Sequence, residues 1–164
     1  MRRVFLMLAA SLLLSAPALA SGTHSGGHAD MAIGKPGDKK KVTRTIEIIM
    51  KEDGQGKMLF SPAKLVFKEG QTVKLRFVNQ GEMDHEFVMD EEHAILEHKA
   101  VMEKHPDMEH DDPNALRLAP GARGEIIWTF NNPGTFTFAC LMPGHYEAGM
   151  HGPLEVDSSV ATNP

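Results

Sequence analysis

The chain has 164 residues with 17 Lys and Arg against 22 Asp and Glu, a formal net charge of −5 at pH 7 and a single Cys. That length suits one core, and the acidic balance argues against a nucleic-acid partner, which would need a basic face. One Cys rules out an internal disulfide.

Residues 1–20 read as a secretory signal peptide. They open on Arg2 and Arg3, continue with an apolar run from Val4 to Leu14, and end on the small-x-small site Ala18-Leu19-Ala20. The run is too short to span a bilayer comfortably, and no Cys near the cleavage site offers a lipid anchor, so no membrane anchor is expected. Arg2-Arg3-Val4-Phe5-Leu6 also resembles a twin-arginine export signal. The strongly apolar run favours general secretory export. Cleavage after Ala20 would remove two basic residues and no acidic one, leaving a more acidic chain in the periplasm. A free thiol in that oxidising compartment must be buried, reactive or metal-bound.

Residues 21–41 are rich in Gly, Ser, His and Lys with almost no large apolar residue, which predicts a disordered arm. Residues 42–157 form the folded domain, and residues 158–164 a frayed tail. Within the domain, apolar residues alternate with polar ones, the period of strands. Val42, Ile46, Ile48 and Met50 make one row, Leu65 and Phe67 a second before the turn Glu69-Gly70, and Val73, Leu75 and Phe77 a third. Residues 90–112 break this alternation. They have high helix propensity and read as a partly helical insertion, stopped by Pro106 and bounded by Asp112-Pro113. Strands resume with Ile126, Trp128 and Phe130. After the turn Asn131-Asn132-Pro133-Gly134 come Phe136, Phe138 and Cys140, and a last strand lies near Pro153–Val156. Short strands with Gly/Pro turns indicate a β-sandwich or barrel.

Cys140 shares the parity of Phe136 and Phe138, so its sulfur faces the core at a strand end. A loop follows in which Cys140, His145 and Met150 have C-x4-H-x4-M spacing. Pro143, Gly144 and Gly149 allow it to turn tightly. Thiolate, imidazole and thioether favour copper over hard cations, and structural zinc sites rarely use Met. His85, after the strand Val73–Val78, is the best candidate for the fourth ligand, and Phe87 and Met89 share its parity. A His2Cys set with a weak axial Met is a copper electron-transfer constellation.

These four residues, with the run Phe60-Ser61-Pro62-x-x-Leu65-x-Phe67-x-x-Gly70-x-x-Val73, resemble the cupredoxins, the relatives of plastocyanin, azurin and rusticyanin. The Cys–His gap is similar to that of rusticyanin and auracyanin rather than plastocyanin. The resemblance implies an all-β Greek-key sandwich or barrel over residues 42–157 and one type 1 copper. His85, Cys140 and His145 would be its strong ligands and Met150 the axial one. In many cupredoxins an Asn follows the first His and ties the ligand loops together. Here Glu86 stands in its place, which puts that network in question.

His24, His28, His93, His98, Met102, His105, Met108 and His110 are candidates for weak secondary copper sites, because short His-rich tracts bind metals. On a helix His98, Met102 and His105 would share a face. For any one pair, the plain alternative is a solvated polar loop. The arm and insertion resemble periplasmic cupredoxins linked to copper tolerance. Two functions therefore stand open: a one-electron carrier, or a copper-handling protein that buffers or delivers the metal. Each expects a redox or copper-handling protein as partner, and neither needs catalysis.

Overall fold

A computed structural model of the chain describes residues 31–106 and 112–158. Residues 1–20, read above as a signal peptide, and residues 21–30 of the expected arm lie outside the described residues. In chain order the strands are β1 (Lys35–Pro36), β2 (Arg44–Glu52), β3 (Met58–Ser61), β4 (Leu65–Lys68), β5 (Gln71–Asn79) and β6 (His85–Asp90). After helix α1 (Glu92–Met102) come β7 (Ala115–Leu118), β8 (Arg123–Phe130), β9 (Gly134–Ala139) and β10 (His151–Asp157). They form two five-stranded sheets, in the orders β1-β8-β5-β2-β3 and β4-β10-β9-β6-β7. Both are mixed: β2 runs parallel to β5, and β10 parallel to β4.

The alternating rows face one another between the sheets. Ile48, Met50, Val73, Leu75, Phe77 and Trp128 of the first sheet meet Phe67, Phe87, Phe138 and Leu154 of the second in one buried cluster. Fully burying a side chain of this kind stabilises by about 1.5–3 kcal/mol. A one-residue slip in any strand would turn its whole row outward, so this cluster also fixes the register.

β6 is buried along nearly its whole length because both its faces are covered. Phe87 and Met89 face the main core, while Val88 joins Ile95, Met102, Ala139 and Leu141 in a smaller cluster under α1. The described part of the insertion therefore places one helix on the outer face of the second sheet. α1 ends at Met102, four residues before Pro106. Ile95 and Met102 point inward, whereas Val101 is exposed.

The arm expected to be disordered over residues 21–41 is part of the fold from Met31 onward. Ile33 is fully buried in the main core. Its carbonyl accepts a hydrogen bond from Trp128 Nε1 at 3.4 Å, and Asn132 Nδ2 donates to the Ala32 carbonyl at 2.8 Å. Lys35 and Pro36 then pair with Thr129 and Trp128 on β8. Sparse composition hid this, since a single Ile beside the only Trp is enough to anchor a short edge strand.

Candidate metal centre

Strand register brings the candidate ligands to one end of the second sheet. β6 and β9 are antiparallel, with Val88 opposite Ala139, so His85 at the start of β6 lies beside the chain leaving β9 at Cys140. β10 pairs with β9 on its other side, with His151 opposite Ala139. The Cys140 amide donates to the Met150 carbonyl at 2.9 Å and closes the loop between them. Within the loop the His145 amide donates to the Met142 carbonyl, and the Met150 amide to the His145 carbonyl, both at 3.0 Å. Gly144 and Gly149 have φ of +84° and +98°, backbone that a side chain resists.

The loop thereby points three side chains inward. His145 Nδ1 lies 3.3 Å from Cys140 Sγ and 3.3 Å from His85 Nδ1. Among the described residues, His85, Cys140 and His145 are the group of His, Cys and acidic side chains close enough to share one metal ion. His85 and Cys140 are fully buried, and His145 is only 3% exposed. Met150 is buried in the same core cluster. Metal–nitrogen and metal–sulfur bonds run about 2.0–2.3 Å, so ligands on one ion sit roughly 3–4 Å apart. The two 3.3 Å separations meet that requirement, and all three ligand atoms lie within 4.8 Å of one another. Two imidazoles, one thiolate and a thioether suit copper.

Burial pushes the Cys140 thiol up to about 12, against the backbone N–H groups of Glu86 and Met142, which favour the thiolate. Burial also holds His85 below the ordinary imidazole value, with Glu52 opposing it. His145 is lowered by burial first and by His85 second. The metal-free site thus keeps a neutral thiol and neutral imidazoles, and an entering ion displaces the thiol proton.

Glu86 ties the two ligand segments together after all. Its amide donates to Cys140 Sγ at 3.3 Å, and its Oε2 accepts from the Leu141 amide at 3.2 Å. The carboxylate is long enough to make the bridge that the lack of an Asn here put in question.

The secondary candidates do not form a comparable group among the described residues. His24, His28, Met108 and His110 lie outside them. His93 is exposed, 3.6 Å from Glu97 one turn on. His98 is half-buried on α1, and His105 is exposed beyond the helix end. Met102 is 2% exposed under α1, so the expected shared face of His98, Met102 and His105 is not presented: the apolar cluster has taken Met102.

The contacts that Glu52 and Lys99 make around the site carry no signal in the sequence. Glu52, 33 positions before His85, places Oε1 3.0 Å from His85 Nε2. Lys99 on α1 reaches Glu147 at 2.5 Å and lies 5.9 Å from the centre of the Tyr146 ring, which stacks on His151. Only the tertiary register brings these partners together.

Comparison with known proteins agrees with this chemistry. A family model described as copper binding proteins, plastocyanin/azurin family, matches residues 47–157. A Rubrivivax gelatinosus protein named copper-resistant cuproprotein CopI is 43% identical over 136 residues, covering 81% of this chain and 80% of its own length. A Pseudomonas aeruginosa protein of the same name is 32% identical over 179 residues, covering 92% and 93%. A solved structure of auracyanin B superposes with a TM-score of 0.59 at 26% identity, covering 78% of this chain and 99% of that one.

Proposed function

Given that the chain belongs to the plastocyanin/azurin family of copper-binding proteins, we propose that it is exported to the periplasm and limits copper toxicity there. The observation that carries this reading is the buried His85–Cys140–His145 triangle beside Met150, a soft donor set held ready by two strand ends. Relatives named copper-resistant cuproproteins support the copper-tolerance role. Bound copper supplies a one-electron couple between Cu(I) and Cu(II). The chain's own part is to hold the ligands nearly unchanged in both states, to exclude water from the thiolate, and to leave one imidazole edge near the surface at His145. That role needs no substrate pocket and no acid–base pair, so the proposal includes no catalytic turnover. The partner is a redox protein or a copper-handling protein, with no part for nucleic acid or a membrane anchor.

A deletion strain tests this. Copper sensitivity with intact respiratory electron transfer is the expected result. Normal copper tolerance with impaired respiratory electron transfer would favour a second reading, a dedicated electron carrier exchanging through the His145 edge. That reading draws its support from the closed site and from the 3% exposure of His145.

Weak capture by the outer His and Met residues would extend the copper-handling role. Since Met31–Lys41 and Met102 belong to the fold, the test replaces His24, His28, His93, His98, His105, Met108 and His110 only. Titration with Cu(I) against a competing chelator should remove weak equivalents and keep the strong one. Equal stoichiometry and affinity in both forms would confine the protein to one copper.

A further inference from the structure

His85 turns one ring nitrogen toward Cys140 and His145 and the other away from them. Nδ1 faces His145 Nδ1 at 3.3 Å. Nε2 is buried, and its neighbour is Glu52 Oε1 at 3.0 Å. The approach is off the line of the ring N–H, so Nε2 has a carboxylate at ion-pair distance without an aligned hydrogen bond.

Glu52 does not reach this place by chance of rotamer. It is the last residue of β2, in the sheet opposite β6. Its Oε2 accepts from the Glu82 amide at 3.0 Å and its Oε1 from the Met83 amide at 3.1 Å. Gly81 makes room, because a Cβ there would run into the carboxylate. Buried Asn79 fixes the same turn: its Oδ1 accepts from the Gly81 amide at 2.9 Å, and its Nδ2 donates to the Met83 carbonyl at 2.7 Å. A seat built from two amides and a missing side chain holds the carboxylate against His85. Partial burial pushes the Glu52 carboxyl up, but the amides of Glu82, Glu52 itself and Met83, with the His85 ring, outweigh it and hold it below the usual value.

We propose that Glu52 is a positioning residue for the copper site, orienting His85 through Nε2 and favouring the oxidised ion with its negative charge. An ion at Nδ1 fixes the ring proton on Nε2, the nitrogen that faces Glu52, and a carboxylate there orients the ring and raises its basicity. The more highly charged ion gains more from both effects, so the carboxylate should lower the reduction potential. The inference rests on copper being held at His85 as assigned above.

The test measures the midpoint potential of the copper-loaded full chain as wild type, Glu52→Gln and Gly81→Ala. Glu52→Gln removes the charge with little change of shape, and Gly81→Ala displaces the carboxylate while keeping it. Both variants should keep the visible thiolate band. Both should lose about tenfold in Cu(II)-over-Cu(I) preference, a rise of about 59 mV for one electron. Potentials equal to wild type in the loaded variants would overturn the proposal and leave Glu52 only the anchoring of residues 81–83. The wild-type Cu(I) form gives an independent reading: with the ion at Nδ1 and the ring proton on Nε2, a small turn of the Glu52 carboxylate would bring it into line, and that proton should then exchange slowly and resonate downfield. A free-imidazole resonance would overturn it as well. Failure of the wild type to load copper would instead remove the site assignment on which the proposal rests.

Discussion

The Glu86 carboxylate accepts a hydrogen bond from the Leu141 amide at 3.2 Å, joining the residue after one ligand to the residue after another. Leu141 is 1% exposed, so its N–H has no access to water if that acceptor is removed. An orphaned buried donor costs about 1–3 kcal/mol. Glu86→Ala should therefore destabilise the copper-free protein by about that much, and Glu86→Gln, which keeps a carbonyl acceptor, by less. Denaturant unfolding of the three proteins measures it. Equal losses in both variants would mean that the bridge is not what holds Leu141.

Met150 and His85 should differ in what their loss does. An axial thioether tunes the potential more than it retains the ion. Met150→Leu should keep copper and raise the potential, while His85→Ala should weaken copper binding. Competition with a chelator and redox titration distinguish the two. Loss of copper in Met150→Leu, with none in His85→Ala, would reverse the ranking.

Met102 sits under α1 with Ile95, Val88, Ala139 and Leu141. Met102→Ala should cost about 2–5 kcal/mol, as buried Met-to-Ala changes do. It should leave both the copper equivalents and the visible band unchanged. Loss of a copper equivalent without loss of stability would return Met102 to the list of ligands.

The copper-free protein should weaken as pH falls below about 6.5, the unfolded imidazole value. Burial holds His85 and His145 below that value in the folded chain. The unfolded chain therefore takes up protons that the folded one refuses, and this contribution is present above pH 6.5 and lost on acidification. Two such groups give a slope of up to about 2.7 kcal/mol per pH unit. Urea unfolding at pH 7.5 and 5.5 should show the drop in wild type and a smaller one when both residues are Asn. The same drop in both proteins would place its origin elsewhere.

What the sequence made legible follows from how local each signal was. Parity alone placed Cys140 with Phe136 and Phe138 in the main core, and the C-x4-H-x4-M spacing described a loop that the β9–β10 register then closed at Met150. His85 was reachable because it opens a strand whose Phe87 and Met89 share its face. Ile33 was missed because its partner, Trp128, is 95 positions away. The seat of Glu52 was missed because it depends on how β2 meets the turn before β6, which no local pattern encodes. Met102 was a candidate ligand that the apolar cluster under α1 holds instead, because a helical face says which residues lie together and not whether that face meets solvent or another sheet.

One copper is held by the Cys140 thiolate between His85 and His145. The most direct test of that assignment is the visible absorption spectrum during titration of the wild-type protein and Cys140→Ser with Cu(II). Wild type should develop an intense thiolate-to-copper band saturating at one equivalent, and Cys140→Ser should develop none, because a hydroxyl is a poor, hard substitute for the thiolate. A band that persists in Cys140→Ser, or a wild-type protein that binds copper without one, would contradict the assignment.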